Sequence, residues 1–372
     1  MPEGKIKILY TIPNFDTAGS GRVVFDLARN LDKSRFDVEI ACMHDRGEFF
    51  RVVKASGLKI HITEFTRSYR PYWTLPARIQ PVMSFFRKHK FDLVHSWHWS
   101  SDWTEALACR LAGVPWLYTK KAMGWGNVHW KIRSRLATKI ICINRDMEKE
   151  FFPGWKKLAL IPIGVDTEHF VPSPPEESRQ YREKLGLRKD DFVILSVANL
   201  VPVKGIELVI DAIERLRLPN VRYVVVGDHA NDYGSQLLRN VHERGLDTYI
   251  TFIGKVLDVR PFLALADVFV IPTKDEGRKE GLPVAPIEAM ACGKIVIGSR
   301  ISGIKDLLDE YPELLFEPGN VDEICKRILY IMNLQDGDSI ALSRQLRSKV
   351  EEKYSLQGFI AAHEQLYTKI AQ

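Results

Sequence analysis

Two carboxylates, Glu280 and Glu288, stand eight residues apart in the 372-residue chain. The apolar run at 267–272 has the composition of a buried parallel strand, and a second such run follows the carboxylates. Pro283 and Pro286 suit the first turn of a helix, where a missing N–H is tolerated. The free N–H groups at that helix start predict an anion site beside the carboxylates. A ligand with phosphate and hydroxyl groups, such as a sugar nucleotide, fits this pattern; solvated acids on an ordinary strand–helix–strand unit are the alternative.

The composition is that of an ordinary globular protein large enough for about two domains. Hydrophobic residues make up 45% of the chain, and no segment reaches the ~20 apolar residues of a membrane span. The N-terminal run is short and strand-like, unlike a signal peptide. The five cysteines are scattered, without the spacing of disulfides or metal ligands. These features predict a cytoplasmic protein with reduced thiols.

The charge is unevenly distributed along the chain. Residues 1–170 carry 27 Lys and Arg against 17 Asp and Glu, whereas residues 171–372 carry 26 against 30. All eight tryptophans also lie in the first half. We expect the basic half to contact an anionic acceptor or, as a peripheral membrane protein, an anionic membrane surface, and we expect no nucleic-acid partner. A solvated basic face is the alternative.

Strand and helix patterns alternate through both halves, which predicts an α/β fold with doubly wound parallel sheets and ligands at the carboxyl ends of the strands. The proline-rich segment 171–177 indicates a linker. We therefore predict domains at 1–170 and 171–355, with a terminal helix at 356–372 that crosses back to the first domain. The strands predicted in the first half are at 5–12, 36–42, 58–62, 92–95, 116–119 and 139–143.

The two glutamates, followed by A-M-A-x-G at 289–293, resemble the donor-site signature of retaining glycosyltransferases of family four. The resemblance spans nearly the whole chain and includes Gly164–Asp166, Phe170 and Lys204. It implies the GT-B fold, with two Rossmann-like domains facing across a cleft. It also implies a retaining hexosyltransferase of polysaccharide or glycoconjugate biosynthesis. The donor is expected to be a UDP-, GDP- or ADP-sugar, and the acceptor a glycan, a lipid-linked glycan or a small molecule.

The resemblance assigns roles to individual donor-site residues. Glu288 is expected to accept hydrogen bonds from the ribose, and Glu280 to hold the transferred sugar. Lys204 is expected to stabilise the leaving diphosphate. No side-chain nucleophile and no metal or other cofactor are expected. Backbone and loop contacts to the donor are expected from Gly19, Ser20, Gly21, Gly254, Lys255, Val256, Gly281, Leu282 and Pro283.

Three positions depart from the family pattern. Asn199 replaces the arginine that neutralises the diphosphate, and Ile163 replaces an asparagine. Lys121 replaces the histidine near the transferred sugar, so we expect it to offset phosphate charge or to bind an anionic acceptor. Arg278 and its neighbour Lys279 are hypothesised to supply the charge that is missing at Asn199.

The acceptor side is expected at the ends of two strands in the first half. His95 matches a histidine that is common in the family, and its spacing to His98 is that of a metal-ligand pair without an evident third ligand. The basic, aromatic loop at 65–73 is expected to shape the acceptor pocket or to enter a membrane interface; a solvated loop is the alternative. The side chains predicted to form a stacking wall for a sugar ring are Trp97, His98, Trp99 and Trp103, with helix-start packing as the alternative for Trp103. Trp125 is a further acceptor-side candidate.

Other functions stay open from the sequence alone. A sugar-nucleotide epimerase or a phosphorylase of the same fold would use similar residues. A nicotinamide oxidoreductase would need a third glycine after Gly19 and Gly21, and an acid better placed than Glu39 or Asp45. A non-catalytic carbohydrate- or lipid-binding protein would explain the changes at Asn199 and Lys121.

Overall fold

The computed structural model describes residues 4–16, 18–276 and 281–372. The chain divides into a first unit, Met1–Gly164 with Leu356–Gln372, and a second unit, Val165–Ser355. The division precedes the boundary that we placed after residue 170. The reason is that Val165 pairs with Ser355 and donates its N–H to the Tyr354 carbonyl at 2.8 Å, which ties the 165–170 segment to the second unit.

The first unit is built on one parallel sheet. Its strands are β1 (Ile6–Thr11), β2 (Phe36–Cys42), β3 (Lys59–Ile62), β4 (Leu93–Ser96), β5 (Trp116–Lys120), β6 (Lys139–Cys142) and β7 (Leu158–Leu160). Its connecting helices are α1 (Ala18–Asn30), α2 (Glu48–Ala55), α3 (Leu75–His89), α4 (Thr104–Ala112), α5 (His129–Leu136) and α6 (Arg145–Phe151). The strands lie in the order β3-β2-β1-β4-β5-β6-β7.

The second unit repeats this plan. Its strands are β8 (Phe192–Val197), β9 (Val221–Val226), β10 (Ile250–Ile253), β11 (Val268–Ile271), β12 (Ile295–Ser299) and β13 (Leu315–Phe316). Its helices are α7 (Pro175–Lys184), α8 (Ile206–Leu216), α9 (Asp232–Glu243), α10 (Arg260–Leu265), α11 (Val284–Ala291), α12 (Ile304–Leu307), α13 (Val321–Met332) and α14 (Asp336–Lys353). The strands lie in the order β10-β9-β8-β11-β12-β13.

Both sheets have a point where the strand order reverses, between β1 and β4 in the first unit and between β8 and β11 in the second. All of the paired strands are parallel, and β4 and β11 are buried along their whole length. In open α/β sheets, ligands bind outside the carboxyl ends of the strands at this switch point. The topology therefore directs attention to the loops that follow these strands.

The last helix, α15 (Leu356–Ala371), belongs to the first unit. Its side chains Phe359, His363 and Tyr367 are buried, and the Tyr367 hydroxyl lies 2.7 Å from Nδ1 of His95 on β4. The helix thus completes the core of the first unit, although the 191 residues of the second unit separate it in sequence from the rest of that unit.

Candidate functional site

The carboxyl edge of the second sheet collects most of the predicted donor residues. Asn199 and Lys204 follow β8, and residues 254–256 follow β10. Residues 281–283 lie between β11 and α11, and Glu288 lies within α11. One edge of one sheet therefore brings together segments that are spread over ninety residues of sequence.

The loop after β8 is packed tightly against the end of β11. Gly205 has a left-handed φ of 66°, and a side chain there would overlap the carbonyl oxygen of Pro272. The Lys274 N–H donates to the Val203 carbonyl at 2.8 Å. Lys204, the last residue of a short 3-10 turn, is half-buried and is held at the switch point by these contacts.

Helix α11 begins as the proline pattern predicts. Pro283 is the residue before the helix and Pro286 is its third residue. The first turn has no acidic residue, and Pro283, the residue before the helix, makes no side-chain hydrogen bond to its N–H groups. This end of the helix consequently keeps its positive partial charge, which favours an anion. Glu288 follows one turn later and is half-buried.

The backbone just before α11 is also fixed by packing. Gly281, Leu282 and Pro283 are buried. Gly303, which has φ of 83°, approaches Gly281 so closely that a side chain at Gly303 would overlap the Gly281 carbonyl oxygen. A glycine is needed here by both conformation and space.

Three polar side-chain atoms near this edge have no hydrogen-bond partner among the described residues. Two are hydroxyls: that of Thr273, which follows β11, and that of Ser299, the last residue of β12. The third is Nδ1 of His229, in the loop after β9. Buried polar groups are nearly always paired, with protein, water or ligand. These atoms therefore mark positions where a polar ligand would be satisfied, and no sequence pattern predicted any of them.

An ion-pair cluster that the sequence analysis missed lies beside Lys204 in the chain. Lys274 Nζ is 2.8 Å from a carboxylate oxygen of Glu207 and 2.8 Å from one of Glu276, and the Tyr233 hydroxyl donates to Glu207. Glu207 lies in the first turn of α8. The cluster fixes a cation at the end of β11.

Two further predictions concern this edge. Gly254 and Val256 are half-buried and Lys255 is exposed, and a side chain at Gly254 would lie 3.8 Å from the His229 ring. His229 is thereby a neighbour of the segment expected to contact the nucleobase.

Glu280 and Arg278, with Lys279, lie outside the described residues. Asp336 and Asp338 lie in the first turn of α14.

In the first unit, the glycine segment does not form the whole loop that we expected. Gly19 has non-helical angles (φ −6°, ψ −116°) and breaks the start of α1, whereas Ser20 and Gly21 already lie within that helix. A side chain at Gly21 would come within 3.1 Å of the Phe15 ring. A larger residue at Gly21 would therefore be tight against the ring beneath the helix start.

The predicted acceptor surface does not include His95 or Trp97, because both side chains are fully buried. His95 Nε2 lies 2.9 Å from the Thr119 hydroxyl, and burial lowers the pKa of His95 well below its usual value. The Trp97 ring packs 4.8 Å from the His95 ring and also stacks on His363. The family histidine has here become part of the core that receives α15.

The remaining aromatic predictions divide between surface and core. His98 is buried and hydrogen-bonded to Ser100 at 2.7 Å; burial, with Arg133 and Lys121 nearby, lowers the pKa of His98 to about 3. Trp103 precedes α4 and stacks on Tyr69, which is the packing alternative. Trp99 is 37% exposed, whereas Trp103 and Trp125 are half-buried.

The two lysines after β5 have different environments. Lys121 Nζ donates to the Trp97 carbonyl at 2.6 Å and lies 5.0 Å from the centre of the Trp99 ring. Lys120 is buried beside Trp125, donates to the Gly124 carbonyl at 2.7 Å, and has its pKa lowered by burial to about 8. Lys120 therefore anchors the loop that holds Trp125, while Lys121 stays beside an exposed aromatic ring.

A charged network supports these strand ends. Arg133 and Glu105 are fully buried, with 3.8 Å between their charged groups. Arg133 donates to the Ser96 hydroxyl at 2.8 Å, and Ser96 donates to Glu105 at 2.7 Å. Thr11 at the end of β1 also donates to Glu105. The network joins the ends of β1 and β4 at the switch point, and its two charges are 28 residues apart in sequence, which hid the pair from sequence reasoning.

The chain matches two family descriptions that together cover most of its length. Residues 17–169 match Glycosyltransferase Family 4, and residues 177–353 match glycosyl transferases group 1. Two solved structures share its fold: a glycosyltransferase from Rickettsia africae ESF-5 (TM-score 0.87, 18% identity, 99% of each chain) and Anabaena Alr3699/HepE in complex with UDP and glucose (TM-score 0.82, 19% identity, 98% of this chain and 99% of that one). The two sheets and these similarities define a GT-B fold.

Relatives of known activity point the same way. The chain is 26% identical, over 95% of its length and 94% of the relative, to the Escherichia coli UDP-Gal:alpha-D-GlcNAc-diphosphoundecaprenol alpha-1,3-galactosyltransferase. It is 32% identical, over 45% of each chain, to a GDP-mannose-dependent alpha-(1-6)-phosphatidylinositol monomannoside mannosyltransferase of Mycolicibacterium smegmatis. The chain belongs to the group 1 glycosyltransferases of family four, and it is a glycosyltransferase of glycoconjugate biosynthesis. Among the described residues, no helix is long and apolar enough to cross a membrane.

Proposed function

We propose that this enzyme transfers a hexose, with retention of the anomeric configuration, from a nucleotide sugar to a lipid-linked glycan. The observation that carries the proposal is the convergence of Lys204, the start of α11 and the hydroxyls of Thr273 and Ser299 at one switch point, where neither hydroxyl has a partner among the described residues. A cation and the N–H groups of a helix start suit a diphosphate, and the hydroxyls suit a polar ligand beside it. The full-length similarity to an enzyme that uses UDP-galactose and a diphosphate-linked lipid supports both substrate classes.

The proposed roles follow the order of the atoms in the donor. The base lies along 254–256, and Glu288 accepts hydrogen bonds from the ribose. Lys204 and the start of α11 stabilise the charge that develops on the leaving diphosphate. Glu280, outside the described residues, holds the transferred sugar. The leaving phosphate takes the acceptor proton, so that neither a side-chain nucleophile nor a donor-site metal is needed.

Substitution of Glu288 tests the donor site directly. Glu288→Gln keeps the shape of the side chain but removes its charge, so we expect the donor KM to rise roughly 10-fold or more, because charged hydrogen bonds contribute about 1.5–3 kcal/mol. The measurement is nucleoside diphosphate release over a panel of UDP-, GDP- and ADP-hexoses. Glu352→Gln, at an exposed position of α14, is the control. An unchanged KM for every accepted donor would remove Glu288 from the site.

A lipid-linked acceptor requires access to a membrane surface, and the first unit has a surface suited to one. Residues 106–145 contain eight Lys and Arg and no Asp or Glu; Lys120 and Arg133 are buried, and the other six are exposed or half-buried. Nearby aromatic side chains are exposed, Trp73 by 84% and Tyr72 by 54%, and so is Val128, by 63%. Cations near an anionic bilayer contribute about 1 kcal/mol each, and Trp and Tyr favour the interfacial region.

The exposed aromatic segment is held in place by contacts within the first unit. Arg78 donates to the carbonyls of Arg70 and Pro71, at 2.9 and 2.7 Å. The Tyr69 ring lies 4.6 Å from the ring of His129, which is the first residue of α5. These contacts place the segment beside the acid-free stretch. We propose that the two together contact an anionic bilayer.

Vesicle sedimentation tests this part of the proposal. We expect binding to vesicles that contain phosphatidylglycerol and weak binding to phosphatidylcholine vesicles. Changing Tyr72 and Trp73 together to serine should lower the binding about tenfold, which corresponds to ~1.4 kcal/mol. Tyr330→Ser, at an exposed aromatic of the second unit, is the matched control. If both variants bound the vesicles equally well, the aromatic segment would not contact the membrane. The donor-site assignment would be unaffected.

A further inference from the structure

A cluster outside the proposed site brings three metal-binding side chains together. Glu39 lies on β2, His61 on β3 and His89 at the end of α3. One carboxylate oxygen and one ring nitrogen from each histidine all lie within 4.8 Å of one another. The three residues belong to three separate elements, so the fold, and not local sequence, creates the cluster.

The two oxygens of Glu39 have different partners. Oε1 lies 2.9 Å from Lys59 Nζ and 3.1 Å from Lys7 Nζ, whereas Oε2 lies 2.5 Å from Nε2 of His61. Lys7 also donates to the His89 carbonyl at 2.9 Å. Lys7 thus links two of the three residues and orients the carboxylate so that Oε2 is directed to the histidine side. Contacts of this kind, made behind the ligands, fix the geometry of metal sites.

The histidine rings are held by aromatic packing. The His61 and His89 ring centres are 4.7 Å apart, and the Phe85 ring lies 5.2 Å from His61 and 4.7 Å from His89. The Glu39 side chain is only 3% exposed and that of His61 14%. The cluster is therefore partly closed from solvent, with an apolar wall on one side.

The protonation states suit ligation. Burial would raise the pKa of Glu39, but hydrogen bonds from His61, Lys59 and Lys7 hold it at about 2. Burial and the neighbouring His61 lower the pKa of His89. At neutral pH the carboxylate is ionised and the His89 imidazole is neutral, which are the forms that bind metal.

We propose that Glu39, His61 and His89 bind one Zn²⁺ ion that fastens the edge strand β3 to α3. Two imidazoles and one carboxylate favour a borderline transition metal over Mg²⁺ or Ca²⁺. Zn–N and Zn–O distances of about 2.0–2.2 Å require ligand atoms roughly 3.3 Å apart in a tetrahedron, which side-chain rotation supplies. Lys59, whose side chain is 59% exposed, turns to solvent when the ion binds. Water fills the fourth position.

Metal titration of the full chain, after EDTA dialysis and removal of any affinity tag, tests the proposal. We expect one Zn²⁺ per chain, a higher melting temperature that EDTA reverses, and no comparable effect of Mg²⁺. Co²⁺ in place of Zn²⁺ should give the intense visible bands of a tetrahedral complex. His61→Ala and His89→Gln should each weaken Zn²⁺ binding at least tenfold. His242→Ala, which changes a histidine that is 83% exposed in the second unit, should not.

Lys59→Ala separates a metal site from a plain ion-pair cluster. Removal of a competing cation should tighten Zn²⁺ binding several-fold, whereas an ion-pair cluster would only be weakened. His89→Gln covers the case in which His61→Ala does not fold, because His89 is the last residue of α3 whereas His61 lies within a strand. Zn²⁺ binding that persists unchanged in both histidine variants, or a wild-type chain that binds no Zn²⁺ at micromolar concentration, would overturn the proposal.

Discussion

The ammonium group of Lys204 stands at the switch point of the second sheet, one residue before the glycine that turns the chain into α8. In the proposed reaction it stabilises charge on the leaving diphosphate, in a site where the family's neighbouring arginine is replaced by Asn199. Removal of one preorganised donor of this kind typically lowers kcat by about 10²- to 10³-fold.

We therefore expect Lys204→Ala to lower kcat by about 10²-fold or more, with a smaller change in donor KM, because the charge develops mainly in the transition state. Lys204→Arg should recover part of the rate. Steady-state kinetics checks both, with Lys326→Ala on the exposed face of α13 as control. A kcat within twofold of the wild type in Lys204→Ala would exclude the assigned role.

At the residue scale, a sequence pattern predicts a position in the fold more readily than its surroundings. Lys204 and Glu288 were predicted from such a pattern, and both lie at the carboxyl edge of the second sheet, while their roles stay predictions. His95 matches a pattern equally well, yet it is fully buried against Tyr367 of a distant helix. Burial is decided by tertiary packing, so a motif alone does not distinguish a surface histidine from a core one.

The turn between β8 and α8 depends on one glycine. Gly205 has a left-handed φ of 66° and also lies against the Pro272 carbonyl oxygen, whereas Gly186 has a similar φ of 68° with open space around it. Both positions need a residue that tolerates a left-handed φ, but only Gly205 also lacks space for a side chain. They form a matched pair for measuring the contact alone.

We expect Gly205→Ala to lower the free energy of unfolding by about 1–3 kcal/mol more than Gly186→Ala, since overpacking adds that much to the backbone strain common to both. Chemical denaturation measures the difference. Donor affinity should also fall in Gly205→Ala, because the shift displaces Lys204. Equal destabilisation by the two changes would show that the contact with Pro272 relaxes without penalty.

Helix α15 brings a buried histidine into the first unit, and this predicts a sensitivity to acid. Burial lowers the pKa of His363 to about 4, from 6.5 for a free imidazole. Between these values the unfolded chain binds a proton that the folded chain excludes. Stability that is present above pH 6.5 is therefore lost as the pH falls toward 4.

The wild-type chain should lose unfolding free energy between pH 7.5 and 5, and His363→Phe should make that loss smaller by at most roughly 2 kcal/mol. This amount corresponds to the part of the pKa shift of His363 that lies above pH 5. Denaturation at the two pH values gives the comparison. His242→Phe, at an exposed position, should leave the loss unchanged. A loss as large in His363→Phe as in the wild type would place the acid sensitivity elsewhere, for example at the neighbouring His95.

At the scale of the whole molecule, the first unit needs a helix that follows the second unit in the chain. All eight tryptophans lie at or before residue 155, so tryptophan fluorescence reports the first unit alone. Phe359 and Tyr367 of α15 are buried in it, and each large apolar side chain contributes about 1.5–3 kcal/mol when buried.

A chain ending at Ser355 should therefore lose the tryptophan-detected unfolding transition or show it at least ~5 °C lower, as a loss of several kcal/mol implies. Nucleotide-dependent protection of the second unit, followed by circular dichroism, should remain. If the fluorescence transition of the truncated chain matched that of the full chain, α15 would not be part of the first unit's core.

The alternation of strands and helices was sufficient to predict two parallel sheets, because parallel strands and amphipathic helices leave strong periodic signals. The boundary between the two units was harder to predict from the sequence. The proline-rich segment after residue 170 is easily recognised, whereas the pairing of Val165 with Ser355 joins residues far apart in sequence. The same holds for the Arg133–Glu105 pair and the Glu39–His61–His89 cluster. Each joins segments that become neighbours only in the folded chain.

The most direct test of the central claim is the structure of the reaction product. Purified enzyme is given α-linked UDP-, GDP- and ADP-hexoses with a lipid-diphosphate-linked N-acetylglucosamine acceptor, and the product is examined by proton NMR of its anomeric signal. We predict a new disaccharide with the α configuration, formed together with one nucleoside diphosphate. A β-linked product would contradict retention. An epimerised nucleotide sugar or free hexose, without a disaccharide from any donor, would contradict glycosyl transfer to this class of acceptor.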